Sequence, residues 1–229
     1  MLKSKISKIE SFKSVLKTVL VSIALVLSGF IQLVFFNTES ENRIFWLLLI
    51  GVLLLIFIEI IAKIAENLID SNSKLRKLIL KEDFIEGVWI DITEINTYAI
   101  INIKYDNGEY HLQGESYDEE GKLLGNWESI STWSSNCKLR CNYKGNYENQ
   151  ISEFDGINEF VFISANKSIP YQFSGYYIDI FEKNKSYRIR GERINENDLK
   201  EMKTIKGVVN FVKKWAKDNK ELLPDKSEE

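Results

Sequence analysis

The 229-residue chain has one histidine, His111, and two cysteines, Cys137 and Cys141. That inventory excludes a zinc cluster, a multi-histidine metal site and a disulfide-dense secreted scaffold. Phosphate-cradling glycine loops are missing as well, since neither the P-loop spacing nor G-x-G-x-x-G occurs. Proline is nearly absent, with Pro170 and Pro224 alone. His111 sits in the polar stretch Glu109-Tyr110-His111-Leu112-Gln113 with no marked nucleophile or metal partner, and the pair Asp118 and Glu119 falls at a turn. No catalytic residue, metal or catalytic cofactor is expected. The chain does not read as an enzyme.

What is present is unevenly placed. Thr18–Thr38 contains no charged residue, and a second apolar run, Ile44–Ala62, is interrupted only by Glu59. A helix rises about 1.5 Å per residue, so roughly 20 apolar residues cross a hydrocarbon core about 30 Å thick. Thr18–Asn37 and Ile44–Ala62 meet that length, and the short polar link between them predicts a transmembrane hairpin. A cleaved signal peptide is the rival for the first run. Its apolar core would span about 7–15 residues before a small-residue cleavage site, whereas this one is longer and ends in Val34-Phe35-Phe36. Lys3, Lys5, Lys8, Lys13 and Lys17 precede the first run, and Lys63, Lys74, Arg76, Lys77 and Lys81 follow the second. Only Arg43 lies between. The positive-inside bias therefore puts both termini in the cytoplasm, as a multi-pass protein of the inner membrane with reduced thiols. Cys137 and Cys141, four apart in a strand, read as small core residues on one face. Glu59 has two readings: an interfacial carboxylate one turn before Lys63, or a residue with a membrane function, because an ionisable group near hydrocarbon is expensive.

Beyond Glu82 the periodicity changes. Lys63–Lys81 continues helically, and short segments rich in Ile, Tyr, Phe and Trp then alternate with Gly/Asn/Asp turns. Strands are expected near Ile85–Ile92, Tyr98–Tyr105, Glu109–Asp118, Lys122–Trp133, Cys137–Lys144, Glu159–Ser164, Ser174–Glu182 and Tyr187–Ile194. Asp106-Asn107-Gly108 and Glu119-Glu120-Gly121 are hairpin signals. The longest connection, Gly145–Asn158, is read as a loop over an open end. Eight strands with short links suit an antiparallel up-and-down barrel, whose closure removes exposed edges. The expected fold class is a membrane-anchored α+β chain in three parts: 1–81 with the hairpin (about 18–37 and 44–62) and a helical stalk, 82–195 as the barrel, and 196–229 as an amphipathic helix and tail. In that helix Leu199, Met202, Ile205, Val209, Val212 and Ala216 share a stripe ringed by lysines. It either packs on the barrel or meets an anionic membrane surface. Glu82–Asn195 carries 11 Lys/Arg against 19 Asp/Glu, so it does not read as a binder of long nucleic acid.

A hairpin with both ends inside followed by an aromatic-rich barrel resembles the two-transmembrane β-strand-rich effectors of bacterial CBASS antiphage systems. The local stretches that carry the resemblance are Glu86-Gly87-Val88-Trp89-Ile90-Asp91 and Gly175-Tyr176-Tyr177-Ile178-Asp179, within roughly Val15 to Ile194. It implies an antiviral receptor–effector: the barrel senses a cyclic di- or oligonucleotide made by a partner CD-NTase, and the hairpins oligomerise to disrupt the inner membrane in abortive infection. Gly87-x-Trp89 with Arg193 is also similar to the closing arrangement of lipocalin-like barrels. That likeness implies a structural Trp89 and Arg193, with ligand entry at the opposite mouth. Bases are held by aromatic stacking and phosphates by arginine forks. On that footing Tyr117, Trp127, Tyr143 and Tyr177 are the stacking candidates. Arg190 and Arg193, with Arg140 behind them, are the phosphate candidates. Two spans cannot enclose a pore, so a homo-oligomer is expected, and Val88, Ile90 and Ile92 offer a contact between barrels if the C-terminal helix leaves them uncovered. A membrane-anchored lipocalin-like carrier of an apolar ligand and a structural adaptor with a solid barrel remain the alternatives.

Overall fold

The computed structural model describes residues 8–35, 43–106, 108–135, 137–148, 152–166, 168–180 and 185–224. They divide into two compact units, Met1–Leu80 and Lys81–Glu229.

The first unit is helical: α1 (Lys8–Phe35), α2 (Arg43–Ser71) and α3 (Ser73–Leu80). The helix anticipated after the second apolar run is broken at Asn72, whose side chain accepts hydrogen bonds from the backbone N–H groups of Lys74 and Leu75 and so starts α3. Helices α1 and α2 pack along a narrow seam. Ala24 on α1 and Ile58, Ala62 and Ile69 on α2 are buried there, while Val15, Ile23, Val26, Phe30, Leu53, Phe57 and Ile60 remain exposed. Small residues at the seam let the backbones approach closely. Two ion pairs tie one end: Lys13 Nζ lies 2.8 Å from Asp70 and Lys17 Nζ 3.0 Å from Glu59. Glu59 thus has a cationic partner on the neighbouring helix. Among the described residues one stretch, Ile9–Ile31, is long and apolar enough to cross a membrane.

The second unit opens on a 3-10 turn, Lys81–Asp83, and closes eight antiparallel strands into a barrel in chain order. The strands are β1 (Gly87–Thr93), β2 (Tyr98–Asp106), β3 (Glu109–Tyr117), β4 (Leu123–Ser135), β5 (Lys138–Tyr147), β6 (Glu153–Ile163), β7 (Gln172–Asp179) and β8 (Lys185–Arg193). Closure comes from β1 against β8, with Trp89 opposite Arg193 and Asp91 opposite Gly191. Strand alternation then sorts the side chains. Trp89, Ile101, Leu112, Leu139, Phe160 and Ile189 are buried on the inner face, and Lys138, Arg140, Lys144, Arg188 and Arg190 are exposed on the outer one. A bulge in β4 between Ser129 and Ser131 shifts the register against β5. It sets Thr132 opposite buried Cys141 and turns Trp133 outward.

One end is sealed. Trp89 meets Phe162 and Phe173 edge-on at 5.0 and 5.6 Å, and Phe160 adds a perpendicular contact to Phe173 at 5.1 Å. Over Trp89, 4.3 Å from its ring centre, lies the guanidinium of Arg193. That group donates to the carbonyls of Pro170 (2.9 Å), Phe84 (2.8 Å) and Glu86. Burial pulls its pKa down to about 10, which still leaves it a cation at neutral pH. Gly87 is required here for two reasons. Its φ is +134°, and a Cβ would collide with the Arg193 guanidinium. The Gly-x-Trp pattern is thereby explained by backbone conformation and close approach.

Three expectations need correction. Gly145–Asn158 is not a lid: β5 runs to Tyr147 and β6 begins at Glu153. Its glycines mimic a loop but face large rings, Gly145 against Phe154 and Gly156 against Tyr143. The C-terminal stripe is two helices, α4 (Glu196–Glu201) and α5 (Ile205–Asp218), because the Thr204 side chain caps a new start at Gly207 N. Phe211, Val212, Trp215 and Ala216 of α5 pack on Ile90, Ile92, Tyr98 and Tyr117, whereas Ile205 is 87% exposed. Ile90 and Ile92 are therefore buried and Val88 half-buried, so the expected apolar contact between barrels is covered by this unit's own helix. Cys137 does not share the face of Cys141. It occupies a turn at φ +60°, with Sγ 3.0 Å from an Asp83 carboxylate oxygen.

Removing the Arg193 side chain strips donors from three carbonyls at the sealed end. Hydrogen bonds from a charged group contribute about 1.5–3 kcal/mol each, and their losses are not additive. Arg193→Ala should lower stability by about 3 kcal/mol or more in urea titrations followed by tryptophan fluorescence. Arg193→Lys should recover only part, because lysine lacks the planar fork; full recovery would show that charge alone matters.

Candidate functional site

The half of the barrel away from Trp89 is not filled. A cavity of about 200 Å³ lies toward the β1–β2 link, where Thr93, Ile95 and Thr97 line it. Small inward residues on one side, Ala99, Ser116 and Gly125, face an aromatic wall on the other. Trp127 and Tyr143 are 5.6 Å apart by ring centres, Tyr143 and Phe154 6.2 Å, and Tyr147 and Phe154 4.7 Å. Tyr177 also lines the space, its ring stacked at 4.9 Å on Tyr187. Trp127 can lie flat inside because Gly114 stands opposite, and a Cβ there would overlap the indole.

Polar groups lining the cavity include Asp91, Thr93, Thr97, Ser116, Asn158 and Asp179. Among the described lining residues there is no lysine, arginine or histidine. Asp91 is buried and accepts a hydrogen bond from Ala99 N–H at 2.9 Å. Burial outweighs that bond and pushes its pKa up to about 7. Tyr143 is raised by burial and then by the negative Asp179 nearby, so its phenol stays protonated. Burial drives the Cys141 thiol up to about 12, which makes it an inert core thiol.

The expected stacking residues divide. Trp127, Tyr143 and Tyr177 reach the cavity. Tyr117 points outward under α5, its hydroxyl bonded to Glu115. The arginines do not assemble there either. Arg140 and Arg190 lie exposed on the outer face, and Arg193 is consumed by the plug. The physical reason is parity. Arg190 is an odd number of residues from Arg193 on one strand, and Arg140 is outward because Cys141 is inward. Asp91 and Asp179 were missed, although alternation from Trp89 and from Tyr177 puts both on the inner face. A scan of protein-family models and searches of the curated proteins and of the solved structures found no match to the chain.

Asp91 makes stability depend on pH with a definite sign. The folded chain holds its proton to about pH 7, while the unfolded carboxyl releases it near 3.8. Its contribution is full below pH 3.8 and is lost as pH rises through 7, by up to about 4 kcal/mol. Asp91→Asn should therefore raise the melting temperature at pH 8 and leave it little changed at pH 4. Parallel curves for the two proteins would show that Asp91 is ionised throughout.

Proposed function

We propose that the chain is a membrane-anchored receptor–effector of the CBASS type, in which the barrel senses a cyclic di- or oligonucleotide and paired α1–α2 hairpins carry the response into the inner membrane. The observation that carries the reading is the half-open barrel: Trp127, Tyr143 and Tyr177 stand with Asn158 and Ser116 around one mouth. Ring stacking on such side chains contributes about 1–3 kcal/mol per base. The plug makes the other end unavailable, so the ligand enters where the rings are. Carboxylates and amides on the wall weigh against a lipid tail, and the cavity weighs against a solid adaptor.

On this reading α1 and α2 both cross the bilayer with termini in the cytoplasm, and the outward apolar side chains face lipid. The ion pair Lys17–Glu59 then marks the cytoplasmic border of the hairpin. Two helices cannot surround a water-filled lumen, so hairpins from several copies act together. Ligand shifts that assembly only through its different affinity for assembled and free forms.

The test is direct. Tyr143→Ala should weaken cyclic-nucleotide binding to the detergent-solubilised chain at least ten-fold, and Arg190→Ala should leave it unchanged. In cells, co-expression with a nucleotide-producing partner should collapse the membrane potential only when residues 1–80 are present. Glu59→Gln should reduce that collapse while binding persists. Killing by residues 81–229 alone would exclude the membrane output.

A further inference from the structure

The cavity holds room for one ring system, not for a whole cyclic oligonucleotide. An apolar cavity of about 150 Å³ takes one benzene, and this one measures about 200 Å³. A ligand with two or more nucleotides can therefore insert a single base, leaving its sugar–phosphate ring at the mouth. The charge of the wall says which part enters. Asp91 and Asp179 line it, with no basic side chain among the described lining residues. A phosphate placed there finds acceptor oxygens and no cation to pair with, whereas a carboxylate is matched by a base edge presenting two adjacent N–H donors. Guanine offers that edge through N1–H and its exocyclic amine. Adenine and cytosine each set an amine beside an acceptor nitrogen, which a carboxylate opposes.

The two acids differ in position. Asp91 is held by Ala99 N–H and lies two residues from the plug tryptophan. Asp179 ends β7, at the mouth, on the same face as Tyr177 and close enough to Tyr143 to act on its hydroxyl. Resting on the receptor reading above, we infer that the cavity selects one guanine base, whose N1–H and amine are accepted by the Asp179 carboxylate while its ring lies on the Trp127–Tyr143 wall. The phosphates stay outside, which accounts for a cavity without arginine.

Calorimetric titration of the detergent-solubilised full chain with cyclic di-GMP, cyclic GMP–AMP, cyclic di-AMP and cyclic di-UMP tests this. The two guanine ligands should bind at least ten-fold more tightly than the two others. Asp179→Asn should abolish that preference without lowering the melting temperature, and Asp179→Glu should restore part of it. If Asp179→Asn does not fold, the ranking of the four ligands on the unaltered chain decides alone. Equal affinity for cyclic di-AMP and cyclic di-GMP, or a preference that survives Asp179→Asn, overturns the guanine assignment and leaves the receptor reading standing. Binding of none of the four overturns the receptor reading and this inference with it.

Discussion

The barrel depends on one half-buried cation. Arg193 is the last residue of β8, and its guanidinium ties together the chain before β1, at Phe84 and Glu86, and the link before β7, at Pro170. It does so across the face of Trp89. A cation over an indole contributes up to about 2 kcal/mol once water is excluded, and the carbonyls supply the acceptors that a desolvated charge needs. First and last strands are joined there, with Trp89 opposite Arg193. A barrel must bring together residues far apart in the chain, and this contact spans the greatest separation within it.

Sealing one end divides the interior into unlike halves. Below, Phe173 meets Trp89, Phe160 and Phe162 edge to face and the rings fill the interior. Above, inward glycine and alanine leave space that the aromatic wall does not fill. Eight strands enclose just enough volume for either outcome, and side-chain size chooses between them along the length of a single strand. The open half is also the acidic half, because Asp91 and Asp179 both belong to it. Its wall presents carboxylate oxygens, which accept hydrogen bonds.

The strands were legible because alternation and turn chemistry agree along most of the chain, and Gly87-x-Trp89 with Arg193 was legible as a closing device. Failures arose where one residue type serves two purposes. Gly145 and Gly156 resemble a loop in composition, yet they are strand positions emptied to receive rings from neighbouring strands. The C-terminal stripe passed through Lys203-Thr204 without a break in period, although threonine had already begun a second helix. Arginines were gathered by proximity in sequence, while a strand sends neighbours to opposite faces. Nothing local in the sequence distinguishes Tyr117 from Tyr143. Only the partner element, α5 for one and the cavity for the other, separates them.

Strand β1 joins the two halves. Asp91, in the cavity, and Trp89, in the plug, are next neighbours on its inner face, roughly 7 Å apart along an extended strand. The chain leaves the barrel just before Gly87, on the plug side, with Phe84 and Glu86 gripped by Arg193. The cavity wall at Asp91 and the fastening of the chain at Glu86 are thus two points on one stretch of extended chain, with no turn between Asp91 and Gly87.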